Sequence, residues 1–318
     1  MRILSGNRFI WFLLPGLAGA ADWSCNKNNP SNMDYKTATI SYFLANGGNT
    51  RYFEAAIQKA NLDTVFNGTG PFTVFVPTDD AFNASGIPLT SVTAYSPEEA
   101  RNLVLYHTVA GAALGSADFT GARELKIIMA NGDSVFITGD SNRIFVNGIQ
   151  VGASDVKAAN GVMHSLQGVL AAPSKNLLEM INADSSLSFL SNALQLATAS
   201  PDSITKNLAS GGPYTFFAPG NDAFRYLGYN SPQDLDTVNT DSLRLLILSQ
   251  LVPQRLFTYD IRDSSTFQTI NDSTLLFNLT GITPQVQIKG HAHFANLVSV
   301  NQMATNGVLF KTDEVLIH

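Results

Sequence analysis

GPFTVFVPTDDAF at Gly70–Phe82 and GPYTFFAPGNDAF at Gly212–Phe224 are one segment written twice, 142 residues apart, with eight of thirteen positions identical. Within the first copy, Thr73 to Val76 read as a short buried strand, and Pro77 ends it because proline has no N–H for the ladder. Thr78 or Asp79 stands where the next turn needs a cap, and Ala81 and Phe82 drop back into the core. The segment makes a strand stop and turn. It contains no nucleophile paired with a base.

Three further landmarks flank each copy in the same order. Ahead lies an amphipathic helix, with Tyr52, Phe53, Ala56, Ile57 and Ala60 at i, i+3, i+4 spacing, matched by Phe189, Leu190, Ala193 and Leu194. Behind lies a second apolar helix, LVLYHTVAG (Leu103–Gly111) and LILSQLVPQ (Leu246–Gln254). Each unit closes on NGV and a short strand, NGVMHSLQGVL (Asn160–Leu170) and NGVLFKTDEVL (Asn306–Leu316). The offsets run only from 137 to 146, so the chain is a duplicated module.

Between these landmarks the pattern has period two. Ser134–Thr138, Arg143–Asn147 and Gln285–Lys289 alternate or run apolar and β-branched, as half-buried strands do. The Asn-Gly pairs at 131–132 and 147–148 are hairpin turns, since both residue types tolerate positive φ. Helices first and strands second give an α+β class with segregated elements, used twice. The boundary falls at Ala171–Ser174, with Ser174 as N-cap of a helix Asn176–Ile181, and so short a linker implies two modules packed together. The reading divides the chain into 1–24 (signal peptide), 25–35 (tether), 36–172 and 173–318 (modules).

The motif and the closing segment are where the chain resembles the fasciclin (FAS1) family, whose two segments run T-x-F-x-P-(T/S)-x-x-A-F and N-G-x-x-H-x-x-x-x-V-L. Module 1 carries Thr73, Phe75, Pro77, Thr78, Ala81 and Phe82, then Asn160, Gly161, His164, Val169 and Leu170. Module 2 keeps Thr215, Phe217, Pro219, Ala223, Phe224, Asn306, Gly307, Val315 and Leu316, but has Gly220 for Thr78 and Phe310 for His164. The resemblance covers Tyr35 to His318. It implies two tandem α+β modules, each a bundle of helices packed on a β-sheet wedge, and adhesion through an extracellular protein or glycan partner. It also implies a binding role for a Tyr-His pair, here Tyr106 and His107, where module 2 has Ser249 and Gln250.

Composition agrees with an exported, soluble chain. Of 318 residues 45% are hydrophobic and 14% charged, too apolar for disorder and too interrupted for many membrane spans. A net charge of -6 and scattered Lys and Arg, with no basic stripe, point away from nucleic acid. Arg2 and Arg8 precede an uncharged run from Phe9 to Ala21, too short to span a bilayer, and Ala18-Gly19-Ala20 gives the small-x-small pattern of a signal-peptide cleavage site. Cys25 is the only cysteine, so no intrachain disulfide forms. Two processings stay open. Cys25 resembles the acylated cysteine of bacterial lipoproteins, which would anchor the protein to a membrane surface, although the usual leucine three residues back is missing. Cleavage after Ala20 would instead leave a thiol on a secreted tail. The sequons at Asn67, Asn83, Asn271 and Asn278 matter only on an ER route.

Other candidates have plain structural readings. A buried, hydrogen-bonded core histidine is a standing alternative for His107 and for His164. His291 and His293 would share one face of a strand, but nothing nearby completes a tetrahedral set, so no metal or cofactor is expected. Asp79-Asp80 reads as a cap rather than a Ca²⁺ site, which needs six or more oxygens. Gly-x-Ser-x-Gly, H-E-x-x-H, Walker A and Rossmann glycine patterns are absent, so no enzyme is expected. The expectation is a non-enzymatic cell-surface or extracellular adhesion protein. A passive envelope scaffold or a small-molecule binder on the same fold are the alternatives.

Overall fold

The structure, a computed structural model, describes residues 37–197 and 204–317. The expected signal peptide, the tether and Cys25 lie outside these residues. Domain 1 opens with helices α1 (Ile40–Asn46), α2 (Arg51–Lys59) and α3 (Asp63–Asn67), then strand β1 (Phe72–Pro77). Helices α4 (Asp79–Ala84), α5 (Leu89–Ala94) and α6 (Pro97–Tyr106) follow. Strands β2 (Thr108–Ala110), β3 (Leu125–Ile128), β4 (Ser134–Gly139), β5 (Ile144–Val146), β6 (Ile149–Gln150), β7 (Val156–Ala158) and β8 (Gly161–Leu166) complete it. Domain 2 repeats the order with α7 (Leu177–Ala183), α8 (Ser188–Leu196), α9 (Ile204–Ser210), β9 (Tyr214–Pro219), α10 (Asn221–Tyr226) and α11 (Thr240–Ser249). Its strands are β10 (Leu251–Val252), β11 (Thr266–Gln268), β12 (Thr274–Asn278), β13 (Gln285–Ile288), β14 (Ala295–Ala304) and β15 (Gly307–Thr312).

The two sequence motifs meet in space. β1 pairs in parallel with β8, Phe72 opposite Gly161 through Pro77 opposite Leu166, and β9 pairs with β15 in the same register. Each central strand is buried on both faces, which is why it reads as a continuous apolar run. Val74 and Val76 face the helices with Phe53, Phe66 and Val104, whereas Phe75 faces the strand layer with Val135 and Val146.

Two polar staples explain the motif letters. Thr73 Oγ1 donates to the Ala112 carbonyl at 2.9 Å and accepts the Leu114 amide at 2.8 Å, and Thr215 treats Gln254 and Leu256 alike. Asn160 accepts the Ile40 amide and donates to the Phe66 and Gly68 carbonyls, tying α1 and the approach to β1 onto β8. Asn306 repeats this on Leu177, Leu208 and Gly211. The next residue must be glycine, because a Cβ on Gly161 would stand 2.1 Å from the Phe72 carbonyl oxygen and one on Gly307 2.2 Å from that of Tyr214. Thr78 caps α4 through the Ala81 amide, and Asp79 caps α2 through the Tyr52 amide while pairing with Arg51.

Several expectations need correction. The second apolar helix ends at Tyr106 and at Ser249, and Thr108-Val109 and Leu251-Val252 instead form edge strands on β1 and β9. Helix α7 is capped by Asn176, in a reciprocal box with Glu179, and not by Ser174. His291 and His293 lie in the loop between β13 and β14, not on a strand. The strand layers differ as well. Domain 1 splits into sheets β2-β1-β8-β7 and β3-β4-β5-β6, whereas the ten-residue β14 bends through two register shifts and joins domain 2 into one seven-stranded sheet.

Candidate functional site

Tyr106 and His107 end α6, and the structure buries both completely. The Tyr106 hydroxyl donates to the Ser134 carbonyl and accepts from Asn147 Nδ2, each at 3.1 Å. Asn147 starts the 147–148 turn at φ 48° and holds the Phe136 amide with its side-chain oxygen. Burial pushes the Tyr106 hydroxyl up to about 12, so it stays a neutral donor. His107 donates from Nδ1 to the Leu103 carbonyl at 2.8 Å and accepts the Leu170 amide on Nε2 at 3.0 Å. Neither side chain reaches the surface, so whatever they do for binding passes through the groups they hold.

Those groups lead to the junction of the two domains. Asn147 and Leu170 line a cleft of about 560 Å³ between the domains, together with the linker 171–175, Met180 and the bulged stretch Val300–Met303 of β14. One wall therefore rests on Tyr106 through Asn147, and another rests on His107 through Leu170. Beside the cleft, Gly148 packs so closely on domain 2 that a Cβ would meet Asn301 Nδ2 at 2.7 Å and Phe257 Cβ at 3.1 Å. Val300 is also exposed, as is Val298 two residues before it.

The rest of the seam is built by residues that sequence reading passed over. Phe136 of β4, 9% exposed, belongs to the apolar cluster of domain 2, with Leu256, Phe257 and Phe310. The Arg255 guanidinium sits 3.8 Å from the Phe136 ring centroid and 3.6 Å from the Glu124 carboxylate. Tyr259 stacks on Phe145 with centroids 3.8 Å apart, lies under Arg143 at 5.0 Å, and donates its hydroxyl to Asp140. That bond, with the amides of Asn142 and Arg143, holds the Asp140 carboxyl down to about 2. Thr138 donates to Asp260 at 3.0 Å.

One signal could have found this seam. Counting from the matched staples Thr73 and Thr215, Arg255 and Tyr259 stand where domain 1 has Ala113 and Ala117. Large side chains in one copy and alanines in the other mark a duty that the other copy lacks.

A fasciclin domain profile matches residues 48–173 and again 188–318, and the chain belongs to that family. Transforming growth factor-beta-induced protein ig-h3 of Sus scrofa is 31% identical over 152 residues, 47% of this chain and 22% of its own length. Protein sll1483 of Synechocystis is 32% identical over 123 residues, 37% of this chain and 65% of its own. A solved FAS1 domain pair from the insect cell adhesion molecule fasciclin I aligns at TM-score 0.41 and 16% identity, over 84% of this chain and 96% of that one. The chain thus spans about a fifth of the length of the first curated relatives it matches.

Proposed function

We propose that the protein is a non-enzymatic adhesion or binding protein of the cell surface or extracellular space, which meets its partner as one two-domain unit. The observation that carries this is the seam. A domain 1 phenylalanine completes the core of domain 2, so the two fasciclin domains present a single surface with a cleft at their junction. Tyr106 and His107 serve that surface from beneath, as positioning residues for the cleft walls. In the same proposal Cys25 carries an acyl anchor. The mass of the mature N-terminus tests that part: a lipidated Cys25 supports it and an N-terminal Ala21 overturns it.

The experiment for the main reading is a binding screen of the purified two-domain chain against immobilised extracellular matrix proteins and a glycan array, repeated with Met303→Arg. Specific binding that the arginine in the cleft reduces at least tenfold is the expected result. Binding that survives unchanged would move the partner site elsewhere on the surface, and no binding to either class would favour a passive spacer.

A further inference from the structure

Domain 1 buries two histidines completely and domain 2 buries none among the described residues. Each buried ring has one carbonyl and one amide as partners, which settles its protons. Nδ1 of His107 faces the Leu103 carbonyl and must carry hydrogen, so Nε2 accepts the Leu170 amide. At His164 the roles reverse: Nε2 faces the Leu114 carbonyl at 2.8 Å and Nδ1 accepts the Asp155 amide at 3.3 Å. Both rings are therefore neutral. A second proton on either sets an N–H against an N–H inside the core.

The surroundings give that proton little help. His107 is faced by the Phe53 ring of α2 at 5.5 Å, by its own helix and by Leu170, and among the described residues no charged side chain bears on it. Burial pushes it down to about 4. His164 lies between Phe75 of β1 and Phe119, and burial lowers it too. Among the described residues, Asp155 is the one charged group that opposes this, and its carboxylate is engaged by Ser116. Domain 2 fills the same places without a titrating group. Gln250 donates to the Leu246 and Leu316 carbonyls and accepts the Leu316 amide, and Phe310 packs on Phe217 at 5.3 Å.

We propose that domain 1 is an acid-released module: protons taken up at His107 and His164 free the Leu170 linker and the loops at 114–116 and 153–155, while domain 2 stays folded. An unfolded histidine binds its proton near pH 6.5. The buried rings bind theirs lower, so the unfolded state holds more protons between the two values. Stability is then complete above about pH 6.5 and drains away as the pH falls toward about 4. The lowered carboxylates Asp155, Asp184 and Asp234 stay charged above pH 5, and Glu124, raised by burial, acts with the opposite sign. The loss of stability from pH 7 to 5 therefore comes from the histidines.

Hydrogen exchange of the whole chain, read by domain-resolved mass spectrometry at pH 7.5 and pH 5 and corrected for intrinsic rates, tests this. Peptides spanning Leu103 and Leu170 should open about 30-fold more at pH 5, with domain 2 changing no more than a few-fold. H107Q, which copies the residue domain 2 uses, should remove most of that dependence at Leu170, and H164F should do so around Leu114. Parallel loss of protection in both domains, or an H107Q chain with the same pH response, would overturn the proposal. Should a variant not fold, the contrast between the two wild-type domains decides alone.

Discussion

Set side by side, Thr73 and Thr215 hold the same loop, Asn160 and Asn306 pin the same helix, and His107 and Gln250 clasp the same segment after the closing strand. The last pair shares no chemistry beyond one donor and one acceptor, and that is all the position requires. Where the copies part, the purpose differs. Ala113 and Ala117 give the loop of domain 1 only methyl groups, while Arg255 and Tyr259 carry the same loop of domain 2 across to β4 and β5. What the copies share keeps one domain folded. What they do not share joins the pair.

The largest effect that would break this contrast sits at Phe136. Phe136→Ala empties a place in the core of domain 2 from the domain 1 side and should cost about 3–5 kcal/mol. Calorimetry should then show the domain 2 transition moved to lower temperature while that of domain 1 moves less. An unshifted domain 2 transition would mean that the seam does not support that core. Next come the paired staples. Asn160→Ala and Asn306→Ala each orphan an amide and two carbonyls, at about 2–4 kcal/mol apiece. Denaturant unfolding followed by domain-resolved exchange should show equal losses, each confined to its own domain. Unequal losses would end the claim that the two domains are held alike.

Much of this was legible beforehand, and the reasons are physical. A strand buried on both faces writes itself as TVFVP or TFFAP, and the glycines of the closing motif are forced by backbone contact at Gly161 and Gly307. Comparing the copies for likeness therefore recovers the module, its order and its boundary motifs. Helix ends were less legible, because Thr108-Val109 continues an apolar pattern and only pairing with β1 makes it a strand. The roles of Tyr106 and His107 were hidden for a related reason. A tyrosine and a histidine ending an apolar helix look the same whether they face solvent or core, and their partners Asn147 and Leu170 lie 41 and 63 residues away. The seam was hidden from a search for likeness altogether, since Arg255 and Tyr259 have no counterparts.

The smallest test sharpens the contrast at one bond. Tyr259→Phe keeps the stack on Phe145 and removes only the hydroxyl that leads the lowering of Asp140. Its carboxyl, now near 2, should titrate closer to its ordinary value, though still below it, because the Asn142 and Arg143 amides continue to donate at 2.8 Å. A lowered carboxyl supports the fold above its unfolded value, near 3.9, and that support is lost as pH falls toward the folded one. Raising the folded value trims that support at every pH above the unfolded value, pH 7 included, and only slightly, since a partly exposed pair contributes little. Carbon-detected NMR of the Asp140 carboxyl measures the shift directly. An unmoved titration would show that the Tyr259 hydroxyl is not bonded across the seam in solution, leaving the ring stack and Phe136 to hold the domains without it.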